Sequence, residues 1–134
     1  MLNPSGAVTF GDGPTRRRCL AFARREGRGG LVTVNLFALR SPDPPELRRH
    51  PAPVGERNDQ FILGYCTLRG ALVVAAWGVH GALHGRDRYV IGLLRDYEVP
   101  LWCLGVTKAG HPRHPLYVPA DTPLVPYPPS EATA

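Results

Sequence analysis

Lysine is nearly missing from this chain. Lys108 is the only one in 134 residues, set against fifteen arginines. Asparagine occurs three times, at Asn3, Asn35 and Asn58. The cysteines Cys19, Cys66 and Cys103 are odd in number, far apart and without a CxxC pair. Such spacing argues against a disulfide framework and points to reduced thiols, all three in the core of a cytoplasmic protein. No apolar run is long enough to cross a bilayer, so no membrane association is expected. The opening MLNPSGAV lacks the basic and apolar regions of a signal peptide.

Several chemistries lose their usual signatures too. There is no GxSxG, no Cys beside a plausible base and no motif of paired carboxylates, so nucleophilic catalysis has no support. Neither a Walker loop nor a GxGxxG is present, and Gly11–Gly13 is too short and misplaced for either. No cofactor is expected.

What is present has a globular composition, 43% hydrophobic and 20% charged, with a net charge of +5. The length suits one domain, expected over residues 1–128, with a disordered tail at 129–134. The arginine-rich usage is compatible with a GC-rich genome or with attraction to a polyanion such as nucleic acid. Arginine clusters at 16–28, which favours the polyanion modestly.

Pro14–Glu26 reads as the first helix, with proline at its first position and Gly27 or Gly29–Gly30 as its stop. Leu31–Leu36 (LVTVNL) is a nearly continuous apolar strand, of the kind a parallel sheet buries on both faces. A proline-rich connection follows at 41–54, with a helical turn at Pro45–Arg49. The next helix is expected over Glu56–Arg69, with Phe61, Ile62, Tyr65, Cys66 and Leu68 inward. Ala71–Trp77 is the second strand, Asp87–Glu98 the third helix and Leu101–Val106 the third strand. The chain from Tyr117 onward is proline-rich before an unpatterned end, SEATA, and no strand is assigned to it.

Strands alternating with helices predict an α/β fold, a three-layer sandwich with a small, mostly parallel central sheet. The carboxyl ends of parallel strands share one edge, where open α/β folds place their chemistry. Asn35, Trp77–Gly78 and Thr107–His114 would converge there, joined by Asn3–Ser5 if Met1–Leu2 is the stub of another strand.

The loop GHPRHP is unusual in kind, because two prolines stiffen a segment presenting His111, Arg113 and His114 beside Lys108. Histidine transfers protons near neutral pH or donates to a developing anion. Metal binding by His111 and His114 is not expected, since no Cys or carboxylate stands at ligand spacing. His80 and His84 are four apart, but the glycine between them weakens a helical pairing.

The segments MLNPS, PTRRRCLAFAR, GGLVTVNLFALRSPDPPEL, PVGERND, LVVAAWGVHG and VPLWCLGVTKAGHPRHPLYVP together resemble the family called domain of unknown function 1643. The likeness runs to about Pro128. Members of that family usually carry a further N-terminal segment, including the strand that leads into MLNPS. The resemblance therefore implies a sheet whose N-terminal strand is truncated here.

A more distant likeness is to the uracil-DNA glycosylase superfamily. Leu2–Ser5 is similar to its N-P or D-P turn, VNLFALRSPDP to its asparagine segment, AAWGVHG to its Trp-Gly segment and GHPRHPL to its histidine–proline loop. This resemblance implies a uracil-DNA-glycosylase-like sandwich acting on an N-glycosidic bond. Asn3 would orient the attacking water, with Pro4 and Ser5 shaping its turn, and His111 would stabilise charge on the leaving base. Asn35 would pair with the base edge and Phe37 would stack on it. Arg40, Trp77, Gly78, Lys108, Arg113 and His114 would complete the substrate site. The arginine-rich helix would meet phosphates. The partner implied is nucleic acid or a nucleotide. The rival reading is a non-catalytic binding module, and a third, a metal-dependent hydrolase, requires a metal at the histidines.

Overall fold

The structure is a computed structural model, and it describes residues 1–2, 13–37, 49–50 and 52–129. Asn3, Pro4, Ser5, Arg40, nearly all of the proline-rich connection and the tail from Ser130 lie outside the described residues.

The first helix, α1, spans Pro14–Arg25 with proline in its first turn and Phe22 as its buried residue. Its end is set by hydrogen bonding rather than by sequence exhaustion. The Arg28 N–H donates to the Ala23 carbonyl at 2.9 Å and the Gly27 N–H to Arg24 at 3.0 Å. That pattern needs a left-handed residue between them, and Gly27 supplies it with φ of +72°. Arg24 and Arg25 occupy the last turn, where positive charge complements the helix dipole.

The second helix, α2, runs over Asn58–Cys66, shorter at both ends than the sequence suggests. Its buried stripe is Asn58, Ile62 and Cys66, at four-residue spacing. Phe61, Tyr65 and Leu68, expected inward, are exposed at 57%, 44% and 57%. Phe61 and Tyr65 form the neighbouring four-residue row, which one buried stripe turns towards solvent, and Leu68 falls beyond the helix. The third helix, α3, covers Arg86–Asp96 and buries Val90 and Leu94.

The described sheet has three strands in the order β1 (Val73–Ala75), β2 (Leu101–Cys103) and β3 (Val125–Pro126). β1 and β2 are parallel, with Val74 opposite Trp102, as the βαβ pattern predicts. β3 is antiparallel to β2, with Val125 opposite Cys103. The chain is therefore α/β in class with a small mixed sheet. β3 comes from the proline-rich stretch where no strand is expected. An edge position makes it tolerable, since Pro126 has no N–H to leave unpaired.

Leu31–Leu36 is not a strand of this sheet. Its end is nonetheless paired in a parallel manner with the chain start. The Met1 ammonium donates to the Val34 carbonyl at 3.1 Å, and the Leu36 N–H donates to the Met1 carbonyl at 2.9 Å. The two bonds bracket Asn35 as a parallel ladder brackets a residue. Leu2 also accepts from the Phe37 N–H at 2.9 Å.

Two apolar clusters hold these elements. One joins Leu36, Phe37, Ile62, Ala75, Trp77, Val90, Leu94, Cys103 and Tyr127. The other joins Phe22 of α1 to Leu104 and Val118. The neighbours Cys103 and Leu104 fall in different clusters, as side chains alternating across extended backbone do. Cys66 and Cys103 are buried and Cys19 is half-buried, all as free thiols. Burial pushes each thiol pKa up, which suits an inert role. Among the described residues no helix is long and apolar enough to cross a membrane.

Candidate functional site

The turn that carries Asn35 is held from below by two buried polar side chains. Asn58 Nδ2 donates to the carbonyls of Asn35, at 2.8 Å, and Leu36, at 2.9 Å. Arg86 Nε donates to the Leu36 carbonyl at 2.7 Å, and its Nη2 pairs with Asp59 at 2.5 Å. Arg86 is 5% exposed, and Asn58 is 9% exposed. Buried polar groups need partners, and both side chains find theirs on one stretch of backbone, with Asp59 as a further partner of Arg86. The Arg86 guanidinium also lies 5.4 Å from the centre of the Tyr89 ring.

Phe37 follows directly and is fully buried. Its ring meets the His84 ring edge-on, with centroids 6.3 Å apart. Phe37 is thus a core residue with no free face for a stacked base, which corrects the expectation drawn from the glycosylase resemblance.

The histidine loop is held by its own backbone. Thr107 N–H donates to the His111 carbonyl at 2.8 Å, the His111 N–H returns to Thr107 Oγ1 at 3.2 Å, and Gly110 N–H donates to Thr107 at 2.9 Å. Gly110 makes this turn with φ of +89°. Arg113 N–H then donates to Gly105 at 3.0 Å, and Gly78 N–H donates to Pro112 at 2.9 Å. This last bond fastens the end of β1 to the loop after β2. His114 Nδ1 accepts the Leu116 N–H at 3.1 Å, so His114 caps the short 3-10 turn Pro115–Tyr117. Burial pushes its pKa down. Lys108 and Arg113 are exposed.

Trp77 is buried at 5% exposure, edge-on to the Tyr127 ring at 5.8 Å. Its Nε1 is the buried side-chain atom among the described residues that has no hydrogen-bond partner. Gly81 packs against the same indole edge, so closely that a Cβ there would lie 2.0 Å from Trp77 Cδ1.

Two cavities border these groups. The larger, about 620 Å³, runs between residues 28–36 and β1, walled by α1, α2 and α3, and its lining is mostly apolar. Asn35 and Trp77 border it. The smaller, about 440 Å³, lies where the segments after β1 and β2 meet the end of β3. His111 borders this one, together with Asp87, Arg88 and Tyr127. The structure therefore places Asn35 and His111 on different cavities, linked by the clamp at Arg86 and the Gly78–Pro112 bond.

Asp87 and Tyr127 carry no motif in the sequence and lie forty residues apart. The one available signal was an aromatic residue interrupting a run of prolines. Asp87 is 9% exposed and accepts the Arg88 N–H through Oδ1 at 2.7 Å. The Tyr127 phenol is pushed up to about 12, by burial first and then by the Asp87 carboxylate and Cys103. It stays a donor, Asp87 is an acceptor, and His111 acts as either. No group of three metal-ligating side chains occurs among the described residues.

On α1, Arg16, Arg17 and Arg24 are exposed, and the helix packs on Pro115–Tyr117, directly after the histidine loop. Arg25 and Arg28 are spent on the carbonyls of Thr122 and Gly70.

No curated protein and no solved structure matches this chain. One family model, described as a protein of unknown function (DUF1643), matches residues 1–116.

Proposed function

Because the chain belongs to the DUF1643 family, whose description states no activity, we propose a function from its site: recognition of a nucleobase at the carboxyl edge of the sheet, with cleavage of an N-glycosidic bond. The observation that carries this reading is the joining of three distant segments. Asn58 ties the Asn35–Leu36 backbone to α2, Arg86 ties it to α3 after β1, and Gly78 ties β1 to the histidine loop. A uracil-DNA-glycosylase-like sandwich, in a cytoplasmic protein, is part of the same reading.

In this mechanism water adds to the sugar carbon while the base departs with the bonding electrons, and the proton lost by the water ends on the released base. Asn3 orients the water, with Pro4 and Ser5 next to it in the sequence. His111 donates to the leaving base, where charge develops. Asn35 contributes polar contacts to the base, and Trp77–Gly78 fixes the strand end beneath it. Arg40, Lys108, Arg113 and the exposed arginines of α1 meet phosphates, a contact that is independent of sequence and sensitive to salt. His114 supports the loop through its cap on Leu116.

A second reading, a non-catalytic nucleic-acid or nucleotide-binding module, is favoured by the buried state of Phe37, which removes the expected stacking partner. The two readings separate in a base-release assay on single- and double-stranded DNA carrying modified bases. Release that is lost in Asn3→Ala and His111→Ala supports the enzyme. Salt-sensitive DNA binding without release supports the module. Neither release nor binding overturns both.

A further inference from the structure

The smaller cavity holds a set of groups that the glycosylase likeness does not use. Asp87 and Tyr127 are each more than nine-tenths buried, and both border the space. Buried polar atoms are ordinarily satisfied within the protein. The bond recorded for the Asp87 carboxylate is the one Oδ1 accepts from Arg88 N–H, and Trp77 Nε1 is the sole fully enclosed orphan among the described residues. Neither group is a fully enclosed orphan, so the phenol and the carboxylate reach open space, and the smaller cavity is a space that both residues border.

The chemistry of this lining restricts the ligand. Asp87 brings a carboxylate and Arg88 a guanidinium to the lining, so the cavity carries no net positive charge to select a phosphate. The carboxylate offers two oxygens that only accept, while a neutral phenol close enough to feel its charge offers a donor. The complement is a planar group with two adjacent N–H donors followed by a carbonyl. Among nucleobases the guanine Watson–Crick edge has that order: exocyclic amine, ring N–H, carbonyl. Uracil presents one N–H between two carbonyls, so one oxygen would face the carboxylate. Adenine presents a single donor group beside a ring acceptor. The volume, about 440 Å³, lies in the range of small-ligand sites, roughly 300–1,000 Å³.

We infer that this cavity is the base-reading pocket, that it takes a guanine-type edge, and that Asp87 and Tyr127 are its specificity-determining residues. The inference rests on the nucleobase reading above, names the base class for it, and gives the reading of the base edge to Asp87 and Tyr127 in place of Asn35, which borders the other cavity. Asp87 accepts from the amine and ring N–H, Tyr127 donates to the carbonyl, and His111 closes the remaining side. Reading a base in this way, by hydrogen bonds to its pairing edge, is how extruded bases are recognised.

The test is calorimetric titration of the full chain with guanosine, inosine, adenosine and uridine. The wild type is compared with Asp87→Asn and Tyr127→Phe, and base release from guanine-lesion DNA is followed in parallel. Guanosine is expected to bind best, inosine roughly tenfold more weakly for want of the amine, and uridine not at all. Asp87→Asn is expected to weaken guanosine at least tenfold. Tyr127→Phe weakens it several-fold at an unchanged melting temperature, because the lost hydroxyl served the ligand and not the fold. Guanosine binding that both variants leave intact would overturn the pocket while the nucleobase reading stands. Preference for uridine or adenosine would do the same. Absence of nucleoside binding with absence of base release would overturn both.

Discussion

Arg86 and Leu36 stand fifty residues apart, and the guanidinium Nε donates to the Leu36 carbonyl at 2.7 Å inside the core. That contact makes the first extended segment and the third helix a single mechanical unit, with Asn35 at its tip. A buried arginine is costly to retain unless its donors are used, and here they reach both a main-chain oxygen and Asp59. The relationship yields the first of four predictions.

Arg86→Met is expected to lower unfolding stability by about 2–3 kcal/mol, the scale of losing a charged hydrogen bond. Arg86→Lys should recover less than half of it, since one ammonium cannot reproduce the fork that meets Leu36 and Asp59. Urea denaturation followed by circular dichroism measures both. A fully stable lysine variant would show that charge alone, not the fork, holds the turn.

Asn58 faces two carbonyls with an amide donor, which makes the usual conservative replacement the worse one. Asn58→Asp puts an acceptor-only carboxylate against two carbonyl oxygens, so at pH 7 it should be less stable than Asn58→Ala by more than about 1 kcal/mol. Protonation restores a donor, so the gap should narrow as pH falls towards about 4. Equal stability of the two variants across pH would contradict the clamp geometry.

Gly81→Ala is expected to fold poorly. Its Cβ would meet Trp77 Cδ1 at 2.0 Å, Nε1 at 2.6 Å and Cγ at 2.7 Å, and the indole is held between this turn and Tyr127. Overpacking of this kind costs about 1–3 kcal/mol or more. Scanning calorimetry should show a clearly lowered transition, and an unchanged one would mean the indole swings aside freely.

Stability should rise with pH across the neutral range. Burial lowers the Met1 ammonium from its ordinary 8.0 to about 6. A lowered pKa means that the unfolded chain binds more protons between those values, so stability is fully present above pH 8 and is lost as pH falls through 6. A shift of this size corresponds to about 3 kcal/mol. His114 is lowered by burial in the same direction and adds to the slope. Acetylation of the α-amino group should flatten the pH 6–8 part, and a slope untouched by it would assign the effect to His114 or elsewhere.

The helices were legible in the sequence wherever proline, glycine and apolar spacing agreed. Pro14 and Gly27 bound α1 to within a residue, because each acts through local backbone geometry. The parallel pairing of Val73–Ala75 with Leu101–Cys103 was legible for the same reason, as two apolar runs around a helical spacing. Long-range consequences were not. Leu31–Leu36 has strand composition, but among the described residues its backbone bonds to Met1–Leu2 and it joins no strand of the sheet. Val125–Pro126 became a strand because Cys103 and Trp102 offered an edge, despite prolines that argue locally against it. In the site, His111 and Asn35 were found by residue type, whereas Phe37 proved a core ring and His114 a turn cap. Asp87 and Tyr127 were invisible, since only the folded chain brings a helix start beside the proline-rich end.

Trp77 has a spectroscopic consequence. Its indole is buried, lacks a partner for Nε1, and touches the ring of Tyr127, a wall of the smaller cavity. An indole so placed emits at short wavelength, and Tyr127 stands between it and that cavity. Ligand entry that shifts Tyr127 would be visible in the tryptophan fluorescence of the unlabelled protein, with half-buried Trp102 as the more solvated reference.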